Sequence, residues 1–371
     1  MTAEPRLGID IGGTKTAVVL VADGSVQVMR SAPSGRGASG VVDVAVRLAR
    51  EVLDAHAPRA GGDSADLPVG ACMPGLVDPV SGLARHAVNL DVESLDLAGE
   101  LSARLGVPVA VENDVKAAAL GAWRLRGSWS AGSAGSAGSA TSARSAGSAG
   151  SGVSAAGGGP VSGSTDYWGG SALAYLNLGT GLASAVVRDG VVVRGIDGAA
   201  GEIGHLPVGG DAPCTCGQVG CLETVASGSA LARLWPAVGR RATNPFAAAT
   251  DGDALAAAAV DVVCTGVGLA VQLLALASGA EHVVVGGGLA GLGAPLLDGI
   301  RADLERRARS SRMIDALGLP DRVALLPADV PVAALGAAWL SAPDLPGAPR
   351  LASVGSPPGL AEATLSGERV G

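Results

Sequence analysis

The chain has 371 residues, 48% hydrophobic and 16% charged, a balance expected of a soluble globular protein with room for two ordinary cores. A net charge of −8 and a pI near 5.0 argue against a nucleic-acid-binding surface, which would be basic. Met1 to Arg6 is polar and the apolar run behind it is broken by Asp10 and Gly12-Gly13, so no signal segment is expected and the expected location is the cytoplasm.

Leu7–Asp10, Thr16–Ala22 and Val26–Arg30 read as three short strands, the last two joined by the hairpin signal Asp23-Gly24. Val41–His56 has helical periodicity, Val69–Cys72 and Val107–Val111 are β-branched runs that predict buried strands, and Leu95–Leu105 between them predicts a helix. Asn113-Asp114 signals the start of an Ala-rich helix over Val115–Leu125.

The second half repeats that order. Leu173–Leu178, Ala183–Arg188 and Val191–Arg194 form another strand trio, turning at Asp189-Gly190. Helices are predicted at Thr224–Leu234, Ala254–Ala277, Pro295–Arg309 and Val332–Leu340, with strands at His282–Val285 and Val323–Leu326. The apolar stretch from Ala254 to Ala280 carries Asp261 and Gln272, which suits a buried helix better than a membrane span.

The expected organisation is therefore an α/β domain over residues 1–115, an interdomain helix at 116–126, and a second α/β domain over 166–341. The two are expected to face each other across a cleft, with the last helix packing back on the first domain. Residues 127–165, dominated by Ser-Ala-Gly triplets, and the Pro/Gly/Ser-rich tail 342–371 lack a hydrophobic pattern and are expected to be disordered.

Two glycine-rich turns sit at corresponding places in the halves. Asp10-Ile-Gly12-Gly13-Thr14-Lys15 follows the first strand; its glycines let backbone N–H groups approach a polyphosphate, Thr14 adds a hydroxyl, and Asp10 is placed to hold Mg²⁺ through water. Asn177-Leu-Gly179-Thr180-Gly181 is its counterpart, so one nucleotide can be gripped from both sides. The pairing resembles the actin-like ATPase and sugar kinase superfamily. Val285-Gly286-Gly287-Gly288 looks like that superfamily's third nucleotide element, where backbone passes the adenosine.

Glu112-Asn113-Asp114 lies where a strand meets a helix. A carboxylate there can take the proton of a substrate hydroxyl and align it with a transferred phosphoryl group. Asn113 and Asp114 are also both N-cap residues, so one of the pair is spare. Further on, His205, Cys214, Cys216 and Cys221 form the ligand set of a closed structural zinc site, with Gly217 and Gly220 permitting the sharp turns. Five cysteines, three of them clustered, favour metal ligation in a reducing compartment over disulfides, and leave Cys72 and Cys264 as core thiols. Glu202 and Glu223 bracket the zinc ligands and are available to a polar ligand.

As a set, these motifs, with Pro74-Gly75-Leu-Val-Asp78 and Asn89-Leu90, resemble the ROK family of repressors, uncharacterised reading frames and sugar kinases, from Leu7 to Leu340. The resemblance implies ATP-dependent phosphorylation of a hexose, glucose first, with Asp114 as general base. It implies that Asn89, Asn113, Glu202, His205 and Glu223 bind sugar hydroxyls, and that the chain forms a homodimer. The chain departs from the family in Leu182-Ala-Ser184-Ala, where further glycines are common, in Lys116 and in Ala122. An N-acetylhexosamine kinase remains as an alternative within the family; a non-catalytic sugar sensor is another, against which the intact Asp10, Lys15 and Asp114 argue. A sugar-responsive regulator is disfavoured, because a first strand near Leu7 leaves no room for a helix-turn-helix before it.

Overall fold

The computed structural model describes residues 4–60, 67–130, 171–236, 244–327 and 329–341. The expectations of disorder for 127–165 and 342–371 fall almost wholly outside these residues.

The first half begins as a meander of β1 (Arg6–Ile11), β2 (Lys15–Ala22) and β3 (Ser25–Pro33). Asp23 and Gly24 both take positive φ, 51° and 73°, the twist that a two-residue type I′ hairpin demands. After α1 (Gly37–Ala60), β4 (Val69–Met73) and β8 (Val109–Asn113) extend the sheet in parallel, giving the order β3-β2-β1-β4-β8. The second half repeats this plan with β9 (Ala172–Leu178), β10 (Leu182–Arg188), β11 (Val191–Val193), β12 (His282–Gly286) and β13 (Val323–Leu325), in the order β11-β10-β9-β12-β13. Asp189 and Gly190 build the matching hairpin, at φ 51° and 82°.

Several elements depart from the sequence reading. A three-stranded antiparallel sheet, β5 (Leu76–Val77), β6 (Leu83–Ala87) and β7 (Val92–Asp96), is inserted between β4 and α2 (Leu97–Leu105). Leu95 and Asp96 belong to this sheet rather than to the helix, because the Asp96 carboxylate accepts the Gly99 N–H at 2.9 Å and starts α2 after it. The helix expected from Thr224 is a short 3₁₀ turn (Leu222–Thr224) followed by α4 (Gly228–Leu234), which starts where the Ser227 hydroxyl accepts the Ala230 N–H. Three short helices were not foreseen: α5 (Pro245–Thr250), α8 (Arg312–Leu317) and α9 (Leu319–Arg322). Helix α6 (Ala254–Ser278) is long and apolar enough to cross a membrane, yet Val263, Val267, Val271 and Leu274 are buried in the core of the second half beside α7 (Ala294–Ser310).

The halves are joined by two crossing helices. Helix α3 (Asp114–Ser130) starts at the end of β8, packs on β9 and β10, and runs four residues beyond the expected limit at 126. Helix α10 (Val332–Ala338), at the end of the second half, packs on β1 and β4 of the first. Where α3 and α10 cross, a Cβ added to Gly336 would stand 1.7 Å from the Ala117 carbonyl oxygen, and one on Gly121 2.1 Å from that of Val332. Backbone meets backbone there, so Gly336→Ala is expected to cost about 1–3 kcal/mol of stability through overpacking. Denaturant unfolding checks this, and an unchanged midpoint would show that the helices separate easily.

Candidate active site

The first glycine turn is a tight hairpin in which the Gly12 N–H donates to the Lys15 carbonyl at 3.1 Å. Ser34, just past β3, braces it from outside: its hydroxyl donates to the Gly12 carbonyl at 2.6 Å and pairs with the Thr16 hydroxyl at 2.9 Å. Its N–H also donates to the Thr14 carbonyl. Thr14 and Lys15 are left exposed. The second turn closes when the Gly179 N–H donates to the Gly181 carbonyl, and the start of α4 holds it, with Gly228 and Ser229 N–H groups on the carbonyls of Gly179 and Thr180. After β12, Gly287 takes φ +84°, and a side chain there would strike Asn177 and the Leu178 carbonyl.

A cavity of about 480 Å³ has Asp10, Gly12 and Lys15 on one side, Tyr175, Asn177 and Gly287 on the other, and Asp114 in its wall. Gly13, Thr14, Thr180, Gly181 and the residues expected to bind sugar lie outside that lining. Asn89 is exposed; its Cβ packs against Gly13 and its carbonyl accepts from Arg36.

Asn113 and Asp114 divide their tasks. The Asn113 Oδ1 accepts the N–H groups of Val115 and Lys116 at 3.0 and 3.1 Å, so Asn113 carries most of the cap on α3. Its amide nitrogen donates to the Gly75 carbonyl and to Asp114 Oδ1, both at 3.1 Å. The expectation that Asn113 binds a sugar hydroxyl therefore meets competition from four protein hydrogen bonds. Asp114 accepts from Asn113 and Val115 through Oδ1 alone. Burial pushes its pKa up, the Glu202 carboxylate pushes the same way, and the buried Lys116 partly offsets both. Glu202 and Asp114 are thus electrostatic neighbours although 88 residues apart in the chain.

Asp10 is raised to about 7, first by burial and then by Asp114, with the Cys72 thiol and Lys15 pulling it down. Cys72, expected to be a mere core thiol, is wholly buried but donates to Asp10 Oδ1 at 3.7 Å. Two mutually repelling carboxylates around a cavity suit a divalent cation, and Asp10 is the residue that fits one. The folded pKa lies above the ordinary 3.8, so the native state binds the extra proton between about pH 4 and 7. Stability of the metal-free protein should therefore fall as pH rises through that window. Ionising Asp10 then costs on the order of 4 kcal/mol, at 1.36 kcal/mol per pKa unit. In EDTA, Asp10→Asn is expected to exceed the parent in stability at pH 8 and lose that advantage toward pH 4. A pH-independent difference in denaturant unfolding would contradict this.

Tyr175 escaped the sequence reading. It sits in the otherwise aliphatic β9, buried at 3% exposure, with its hydroxyl against Gly286 and accepting the Gly287 N–H. A lone aromatic in such a strand was the available signal.

His205 and the three cysteines place their ligand atoms within 4.8 Å of one another. Cys214 Sγ lies 3.6 Å from His205 Nδ1, and Cys216 Sγ 3.7 Å from Cys221 Sγ. Tetrahedral zinc with bonds of about 2.1–2.3 Å sets neighbouring ligands about 3.6–3.8 Å apart, so the set fits that ion. Gln218, through its backbone and side-chain amides, pulls Cys216 down to about 6, a thiolate at neutral pH. Glu223 accepts from Cys214 at 2.9 Å, lies 3.7 Å from His205 Nδ1, and its other oxygen packs on Gly181. It therefore links the Cys/His loop to the second glycine turn.

Two copies of one sheet plan, each presenting a glycine turn near a shared cavity, are the architecture of the actin-like ATPases and sugar kinases. Residues 6–129 and 168–342 match the ROK family, and the chain belongs to it. It is similar to the glucokinase of Halalkalibacterium halodurans, 30% identical over 359 residues, which cover 90% of this chain and 94% of that protein. Among solved structures it is similar to a ROK family glucokinase from Streptomyces griseus in complex with glucose and AMPPNP, at 26% identity and TM-score 0.61, over 91% of this chain and 99% of that one. A ROK hexokinase from Thermus thermophilus gives 26% identity and TM-score 0.63, over 91% and 97%.

Proposed function

We propose that this chain is an ATP-dependent hexose kinase that phosphorylates the 6-hydroxyl of glucose. The observation that carries the reading is Asp114: Asn113 caps the helix, and Asp114 lines a cavity together with Asp10, Gly12 and Lys15. In this reading Asp114 accepts the proton of the sugar hydroxyl, whose positioning matters more than base strength in a loose phosphoryl-transfer transition state. Glu202, His205 and Glu223 hold the remaining hydroxyls, with Asn89 beside Gly13 closing the sugar side and Asn113 orienting the base. Gly12, Gly13, Thr14 and Lys15 face the phosphates from the first half, Thr180 and Gly181 from the second, and Gly287 borders the nucleoside. Asp10 would hold Mg²⁺, which when bound neutralises charge on the phosphate oxygens. His205, Cys214, Cys216 and Cys221 would hold a structural Zn²⁺ that fixes the loop. A cleft that closes over both substrates, a cytoplasmic location and assembly as a homodimer complete the reading.

A panel of hexoses and N-acetylhexosamines tested with ATP and Mg²⁺ in a coupled ADP-release assay is the decisive test. Glucose is expected to give the highest kcat/KM, with glucose 6-phosphate as product. Sugar-independent ADP release throughout would end the proposal, and preference for an N-acetylhexosamine would change its substrate.

A further inference from the structure

Glu112 and Arg194 lie outside the roles assigned so far. Glu112 is the penultimate residue of β8, two residues before Asp114, and is wholly buried. Its Oε1 accepts the Asn113 N–H at 3.0 Å, and its Oε2 accepts Arg194 Nε at 2.6 Å. Arg194 directly follows β11, so the pair ties the sheet of one half to the edge of the other. From the same residue the chain turns into the loop that carries Glu202. The Arg194 carbonyl accepts the Ala200 N–H at 3.1 Å, and Ala199 in turn accepts from Glu202 at 3.2 Å. The buried Ser184 pins the loop's far end to β10, its hydroxyl and N–H both donating to the Gly201 carbonyl.

We infer that the Glu112–Arg194 ion pair is a positioning clasp that sets the separation of Asp114 from Glu202, and hence how a sugar is held between them. A buried carboxylate left without its partner is strongly unfavourable, so the two members move together. One member is continuous with the peptide that orients Asn113 and Asp114. The other is the anchor of the loop bearing Glu202. The glycine turns that face the nucleotide are held by separate bonds from Ser34 and from the start of α4, so the clasp acts on the sugar side of the site. This inference rests on the reading of Asp114 and Glu202 as base and sugar ligand.

Steady-state kinetics of Arg194→Met, Arg194→Lys and the double variant Glu112→Gln/Arg194→Met, each with its thermal midpoint, test it. Arg194→Met is expected to lose roughly 100-fold in kcat/KM for the hexose, the scale of a 1 Å misplacement, while KM for ATP stays within about 2-fold. Arg194→Lys, which keeps one charged donor, recovers part of that loss. The double variant removes the stranded charge and so regains thermal stability without regaining kcat/KM for the sugar. If Arg194→Met does not fold, the other two variants decide. The clasp is overturned if kcat/KM for the sugar in the double variant stays within about 3-fold of the parent, since charge burial would then be the pair's whole role. Equal rises in KM for ATP and sugar overturn it as well. A parent protein without hexose-dependent turnover defeats the underlying reading instead, an outcome distinct from an active parent whose Arg194 variants match it.

Discussion

Asp114→Asn is expected to lower kcat by about 10²–10⁴-fold, the usual worth of a positioned general base, while the protein stays folded and still binds sugar. The substitution keeps an oxygen where Oδ1 accepts from Asn113 and Val115, and it leaves the cap on α3 to Asn113. Stability should not fall. Burial raises the Asp114 pKa, so at neutral pH the ionised form works against the native state, and a neutral amide removes that cost. The discriminating result is a variant with parent-like or higher thermal midpoint, parent-like glucose affinity by calorimetry and very low kcat. A variant turning over at the parent rate would remove the central residue of the proposed chemistry. A variant that unfolds would show that Asp114, rather than Asn113, holds the helix.

That division of labour marks where sequence reading ends. Asn113-Asp114 announced a helix start, but either side chain satisfies the spacing, and only the orientation set by Gly75 and α3 assigns the cap. Local chemistry was legible where the backbone demands it, as at Asp23-Gly24 and Asp189-Gly190, whose positive φ angles follow from residue type. The inserted sheet between Leu76 and Asp96 was not, since β5 has only two residues and burial along β6 and β7 does not alternate. Long-range contact hid Tyr175 and the Glu112–Arg194 pair, which spans 82 residues of sequence and exists only when the halves meet. Cys72 read as an ordinary apolar position because its thiol gains a role only where β4 lies beside β1 and Asp10.

Removing the zinc ion proposed for the Cys/His loop should produce the second large effect. Between Leu206 and Val219 most residues are exposed, and the loop's ladder contacts are two isolated bridges, Pro207 with Cys221 and Pro213 with Val219. So little apolar burial cannot offset the entropy of ordering the segment, and a closed zinc site, with binding energies on the order of 10 kcal/mol, can. The consequence reaches the sugar side through two residues. His205 is itself a ligand candidate, and Glu223 contacts both Cys214 and Gly181. Chelated protein, or a Cys221→Ala variant, is expected to show fast hydrogen exchange across residues 205–223 and a KM for glucose raised at least about 10-fold, the scale seen when metal-site support is lost. KM for ATP should change less, because the first glycine turn is braced by Ser34 and Thr16. One zinc per chain in the purified parent, lost together with exchange protection, is the expected correlation; a zinc-free protein with parent kinetics would mean that the loop is ordered by its own backbone turns.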